Sequence, residues 1–129
     1  MTITFDPAFD SGYWPGPLGD ENRGACVGEA WLGALGMLAE LELRLGLGGP
    51  PVSTAERLSF VLRVVRQLEG FWSESAAKDP ISTAEALLRW RDRLWRSGWR
   101  GQPVAQRLKE LAEVTEGAPP GVVDRLAAV

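Results

Sequence analysis

The sequence contains no histidine and a single cysteine, Cys26, among its 129 residues. Without histidine the chain cannot build a Ser-His or Cys-His nucleophile, and it lacks the commonest metal ligand. One cysteine can neither form an internal disulfide nor hold zinc by itself. We therefore expect Cys26 to be a buried, unreactive thiol in a cytoplasmic protein.

Lysine is missing from the first half of the chain, and the first lysine to occur is Lys78. The glycine-rich stretches 16–19 and 28–33 superficially resemble phosphate-binding loops. A Walker A loop, however, needs Lys and then Ser or Thr directly after its last glycine. Ala34 and Leu35 follow Gly33 instead, so the sequence argues against ATP binding through a P-loop.

Long apolar runs are also lacking, because Glu or Arg interrupts each one within a few residues. The sequence therefore predicts no transmembrane helix and no membrane partner. The net charge of −3 gives no general reason to bind nucleic acid. Any such binding must depend on a local basic patch.

Neighbouring carboxylates are the remaining candidates for acid–base chemistry. They occur as three pairs: Glu40 and Glu42, Glu110 and Glu113, and Asp6 and Asp10. Each pair falls on a predicted solvated helix face or in a loop, where charge usually serves solubility. We therefore predict no catalytic residue, no cofactor-binding residue and no metal ligand, and expect no enzymatic activity from this chain alone.

Hydrophobic periodicity predicts a mainly α fold, a compact bundle of about five helices with one or two short N-terminal strands. Residues 2–5 alternate as a strand does, whereas residues 25–31 fit either a second strand or the first turn of a helix. Residues 5–24 are rich in Gly, Pro and Asp and predict a long loop with Tyr13 and Trp14 against apolar surface. The predicted helices cover about residues 32–45, 53–70, 71–78, 82–98, 103–117 and 122–129.

Two of these helices begin with the residues of a capping box, Ser53 with Glu56 and Ser82 with Glu85. In the first predicted helix, the residues near helical spacing are Leu35, Leu38, Leu41, Glu42 and Leu45. Gly33 and Gly36 weaken that helix but allow close packing.

A tryptophan- and arginine-rich stretch is the most distinctive part of the chain. Seven basic residues fall between Arg89 and Lys109 against one acid, Asp92. Arginine can contact phosphates and tryptophan can stack on unpaired bases. The favoured interpretation, however, is structural: these arginines lie where they would pair with acids or cover tryptophan rings inside the protein. The candidate DNA or interface contacts are Arg89, Arg93, Arg96, Trp99 and Arg100.

Three strings together resemble a known family: TITF, VGEAWLGALGMLAELELRLGLGGPPVSTAERL and FWSESAAKDPISTAEALLRWRDRLWRSGWRG. They are similar to the N-terminal region of AddB-type proteins, which are PD-(D/E)XK nuclease family proteins or inactivated superfamily I helicases. The last string carries the most specific part of the likeness. Its matching positions are Asp79-Pro80, Thr83-Ala84, Leu87-Leu88, Trp90-Arg91-Asp92, Leu94 and Gly98-Trp99-Arg100-Gly101.

The resemblance implies a role in processing double-strand DNA ends for recombinational repair, within a helicase–nuclease complex. In that family the nuclease motif lies in a C-terminal domain, and the front domain has lost its ATPase motifs. Residues 1–129 would then form a single non-catalytic domain, an N-terminal fragment of a larger protein. Its partners would be the remaining domains of that protein and a helicase subunit, with DNA as a further candidate. The alternative is a free-standing helical interaction module, a homodimer whose tryptophan-rich face is the interface.

Overall fold

The computed structural model describes residues 2–11, 28–47, 49 and 52–129. It confirms the mainly helical fold with a small N-terminal sheet: six α-helices, one short 3-10 helix and two strands occur within the described residues. These residues fall into two compact units, one within residues 1–49 and the other within residues 50–128. Three predictions fall outside the described residues: the burial of Cys26, the glycine-rich stretch 16–19, and the packing of Tyr13 and Trp14 against apolar surface.

The first unit begins with strand β1 (Thr2–Phe5), which pairs in parallel with β2 (Glu29–Leu32). The second glycine-rich stretch, 28–33, is thus mostly strand. Residues 25–31 fitted either a second strand or the first turn of a helix. The described part of that segment pairs as a strand, which favours the first interpretation. A short 3-10 helix, Pro7–Ser11, occupies part of the predicted long loop.

Helix α1 (Ala34–Arg44) follows β2 directly and is capped by a side chain from the 3-10 helix. The amide of Leu35 donates to Oδ2 of Asp10 over 2.9 Å. A Cβ atom on Gly33 would lie only 2.2 Å from Oδ1 of Asp10. Glycine at this position therefore permits the close approach that the cap requires.

The residues at helical spacing in α1 differ in burial. Leu38 is buried, but Leu35, Leu41 and Leu45 are 39–55% exposed. The predicted solvation of Glu42 is wrong, because this residue is buried. The leucine spacing identified the helix correctly, but the apolar face of a helix is covered only where a neighbouring element packs on it.

The second unit contains α2 (Thr54–Val65), α3 (Ser73–Lys78), α4 (Pro80–Arg96), α5 (Gln106–Thr115) and α6 (Val122–Ala128). Helix α4 packs against the other four. The buried core consists of Val61, Val65, Trp72, Ala84, Leu87, Leu88, Trp99, Leu111 and Val114. Helix α4 is therefore the element around which this unit is assembled.

The two predicted capping boxes have different outcomes. Ser53 and Glu56 form the expected reciprocal hydrogen bonds at the start of α2, each 3.1 Å long. The prediction for Ser82 and Glu85 is wrong, because α4 begins two residues earlier. Asp79 is its N-cap and accepts from the Ser82 amide, and Pro80 occupies the first turn, where a missing N–H costs nothing.

Candidate functional site

Three of the predicted contact residues lie together on the exposed side of α4. Arg89, Arg93 and Arg96 are separated by four and three residues, a spacing that places them along one helix face over about 10 Å. All three are exposed. Across the part of the chain that the structure describes, their guanidinium groups form no hydrogen bond and no ion pair. These three arginines are thus available to an external ligand.

The same arginines line a groove of about 610 Å³, which we call the arginine groove. Its other walls are the beginning of α2, from Val52 to Leu58, and the beginning of α6, from Gly121 to Val123. Four arginines and two carboxylates, Glu85 and Asp92, line it. The lining is therefore net positive although the whole chain carries a charge of −3.

Asp92 is neutralised from inside the protein by Arg57 of α2. Two hydrogen bonds of 2.6 Å join the Arg57 guanidinium to the two carboxylate oxygens of Asp92. Nε of Arg57 also donates to the carbonyl oxygen of Pro119 over 3.1 Å. Burial alone would raise the pKa of Asp92, but the hydrogen bonds and charges of Arg57 and Arg91 hold it below its ordinary value.

A second arginine–carboxylate pair extends this network to α6. Arg91 donates to Asp92 over 3.1 Å and also to Oδ1 of Asp124. The second Asp124 oxygen accepts from the Gly121 amide over 2.8 Å, at the start of α6. The four charged side chains therefore connect α2, α4 and α6 beneath the arginine groove.

Arg57 and Asp124 were not predicted from the sequence to be members of this network. A signal for Arg57 was present, because it lies four and eight residues before Val61 and Val65 on the buried face of α2. An arginine on an apolar stripe requires a buried partner. No pattern in the sequence pointed to Asp124.

The two remaining predicted contacts, Trp99 and Arg100, do not line the arginine groove. Trp99 is only 9% exposed, and its Nε1 donates to the Gln102 carbonyl over 2.9 Å. Its ring packs edge-on against that of Trp95, with centroids 6.1 Å apart. Trp99 is therefore part of the core and does not offer a ring face to solvent.

Arg100 covers the same tryptophan cluster. Its guanidinium lies 5.0 Å from the centroid of the Trp95 ring and donates to the carbonyl oxygens of Trp95 and Trp99 over 2.5 and 3.0 Å. The guanidinium of Arg91 lies 4.0 Å from the Trp95 ring. Both arginines thus form cation–π contacts with Trp95, whereas the guanidinium groups of Arg89, Arg93 and Arg96 have no partner among the residues that the structure describes.

No protein-family model, no curated protein and no solved structure matches this chain. Within the described residues, no three His, Cys, Asp or Glu side chains are grouped as a metal site requires. None of the described helices is long and apolar enough to cross a bilayer.

Proposed function

We propose that this chain is a non-catalytic, inactivated helicase-like module of a helicase–nuclease that processes DNA double-strand breaks, and that its arginine groove binds the DNA backbone. The DNA-repair context is supported by the AddB-like string between Phe71 and Gly101. The observation that carries the DNA contact is the unpaired state of Arg89, Arg93 and Arg96 within the described residues.

The charge distribution favours a phosphate ligand. Arginine binds phosphate oxygens with a planar fork of N–H donors. Along the DNA axis one strand carries a phosphate about every 3.4 Å, so the roughly 10 Å between Arg89 and Arg96 accommodates about three of them. Because Asp92 is held by Arg57, Glu85 is the remaining carboxylate among the described groove residues that opposes such a ligand.

Binding of labelled single- and double-stranded oligonucleotides tests this proposal. We expect saturable binding at low salt with a log–log salt slope of about −2 for a single strand and nearly −3 for duplex, as three phosphate contacts require. Replacing Arg89, Arg93 and Arg96 together by Gln abolishes that binding. Glu85→Gln strengthens it, because a repulsive charge is removed.

The matched control replaces Arg44, Arg66 and Lys78 by Gln. This variant has the same change in net charge but leaves the groove intact. If both triple variants lose binding equally, or if the unmodified chain does not bind at tens of micromolar, the proposed DNA contact is wrong.

The repair context needs its own experiment. Cells whose chromosomal gene carries the groove triple substitution should survive double-strand breaks less well than cells carrying the control triple. Equal survival, with normal amounts of both proteins, would contradict the assignment to end processing even if the groove binds DNA in solution.

A further inference from the structure

A second recess, next to the arginine groove, combines aromatic walls with exposed positive charge. It has a volume of about 330 Å³, and we call it the Trp90 pocket. Its apolar lining consists of Phe71, Trp90, Leu94, Leu108 and Leu111. Arg93 and Arg107 complete the lining, which contains no carboxylate.

Trp90 is an unusual residue to find on the surface. It is 47% exposed, although the same helix supplies Ala84, Leu87 and Leu88 to the buried core of its unit. Its ring stacks on that of Phe71 at 19°, with the centroids 6.2 Å apart. The position of Phe71 is in turn determined by its amide, which donates to Oε2 of Glu110 over 2.8 Å. The indole is thus supported from within while about half of the residue faces solvent.

Both arginines of this pocket are exposed. The Arg93 guanidinium forms no hydrogen bond and no ion pair among the described residues, whereas the Arg107 guanidinium forms a cation–π contact with Phe71, 5.9 Å from the ring centroid. An apolar pocket with an aromatic wall and two such cations favours a flat ring attached to an anionic group. A peptide side chain that offers both features together is uncommon, whereas every nucleotide does.

Arg93 lines both the arginine groove and the Trp90 pocket. A strand with its phosphates on Arg89, Arg93 and Arg96 would therefore bring a base to the Trp90 pocket at the level of Arg93. In a duplex that base would remain stacked and paired, and extruding it costs a few kcal/mol.

We propose that the Trp90 pocket binds one unpaired nucleobase of a single strand whose backbone occupies the arginine groove. This inference rests on the proposed DNA contact and adds a preference for single-stranded over double-stranded DNA. Stacking on the Trp90 indole supplies that preference without reading sequence, because every base has an aromatic face.

The test compares Trp90→Ala, Trp90→Phe and Ile81→Ala in the full chain. Ile81 is a matched control, since it is 52% exposed on the same helix but lines neither the groove nor the pocket. Trp90→Ala should weaken single-strand binding by roughly 5- to 150-fold and leave duplex binding unchanged. Trp90→Phe retains most of the affinity, and Ile81→Ala retains all of it.

The salt dependence separates this inference from the proposed function. Trp90→Ala should leave the salt slope unaltered, because the slope counts phosphate contacts, whereas the groove substitutions reduce it. In addition, an oligonucleotide of abasic sites should bind the unmodified chain as weakly as an ordinary single strand binds Trp90→Ala.

If Trp90→Ala leaves single-strand affinity unchanged while the groove triple abolishes it, the Trp90 pocket proposal is wrong and the groove proposal stands. If Trp90→Ala instead disperses a dimer in light scattering without affecting DNA affinity, the pocket binds a second copy and the proposal is again overturned. Far-UV circular dichroism of each variant verifies that the comparison is made between folded proteins.

Discussion

Arg57 on α2 and Asp92 on α4 are joined by two parallel hydrogen bonds of 2.6 Å each. Both side chains are largely withdrawn from solvent, with 11% and 21% of their surface exposed. This pair has two consequences. It connects α2 to the helix that organises the second unit, and it removes one of the two carboxylate charges from the arginine groove.

Asp92→Asn should lower the free energy of unfolding by about 3 kcal/mol, because the guanidinium groups of Arg57 and Arg91 inside the protein then share Asp124 as their remaining carboxylate partner among the described residues. Urea unfolding followed by far-UV circular dichroism measures this change. Glu113→Gln is the control, since Glu113 is about half exposed and lies 3.8 Å from Lys109. An exposed pair of that kind contributes at most about 1 kcal/mol, and equal losses in the two variants would contradict the structural role of Asp92.

Acid should remove the contribution of the Asp92 carboxylate to the free energy of unfolding. Its pKa in the folded protein is depressed, so the stabilisation is complete above the ordinary aspartate pKa of about 4 and is lost as the pH falls through the lower folded value. We expect the difference in unfolding free energy between the unmodified chain and Asp92→Asn to be constant from pH 7 to about 5. It then shrinks below about pH 4. A difference that persists undiminished at pH 2 would show that the negative charge is not its source.

Trp99→Ala should destabilise the monomer by about 3–5 kcal/mol, the usual cost of deleting a large aromatic side chain from a core. Trp90→Ala should cost less than half as much, because about half of Trp90 already lies in solvent. Urea unfolding together with light scattering distinguishes this expectation from the homodimer interpretation. A dimer that Trp99→Ala disperses without loss of monomer stability would favour an interface role for this residue.

Asp79→Ala should lower the thermal unfolding midpoint by a few degrees, whereas Glu85→Ala should leave it nearly unchanged. Asp79 accepts hydrogen bonds from both the amide and the hydroxyl of Ser82, which hold its pKa below the ordinary value. Glu85 forms no bond to the start of α4 within the described residues. Differential scanning calorimetry of both variants measures the effect, and a larger shift for Glu85→Ala would support the cap at Ser82 instead.

Local signals in the sequence were sufficient for most helix positions. The capping box at Ser53 and the glycines Gly46, Gly98 and Gly117 mark helix ends, and each of these three glycines has a positive φ angle. Such signals act between residues close in the chain, so they survive in any tertiary arrangement. The cap of α4 was mispredicted because two candidate caps, Asp79 and Ser82, lie within one turn of each other.

The candidate site was only partly predictable. The spacing of Arg89, Arg93 and Arg96 already placed them on one helix face. The sequence did not show that Arg91 and Arg100 are engaged while these three have no partner among the described residues, since all five carry the same charge within twelve positions. Whether an arginine is engaged depends on whether a carboxylate or an aromatic ring from another part of the chain reaches its guanidinium group.

The sequence by itself determined that the chain is mainly helical, where most helices lie, and that one helix carries a basic stripe, because periodicity and capping are properties of neighbouring residues. The tertiary structure alone decided that Arg57 reaches Asp92, that Trp99 is buried, and that Trp90 stays half exposed beside Arg93. The contact of Arg57 with Asp92 joins residues 35 positions apart in the chain, and the contact that supports Trp90 joins it to Phe71, 19 positions away. No local pattern specifies which distant side chains will meet.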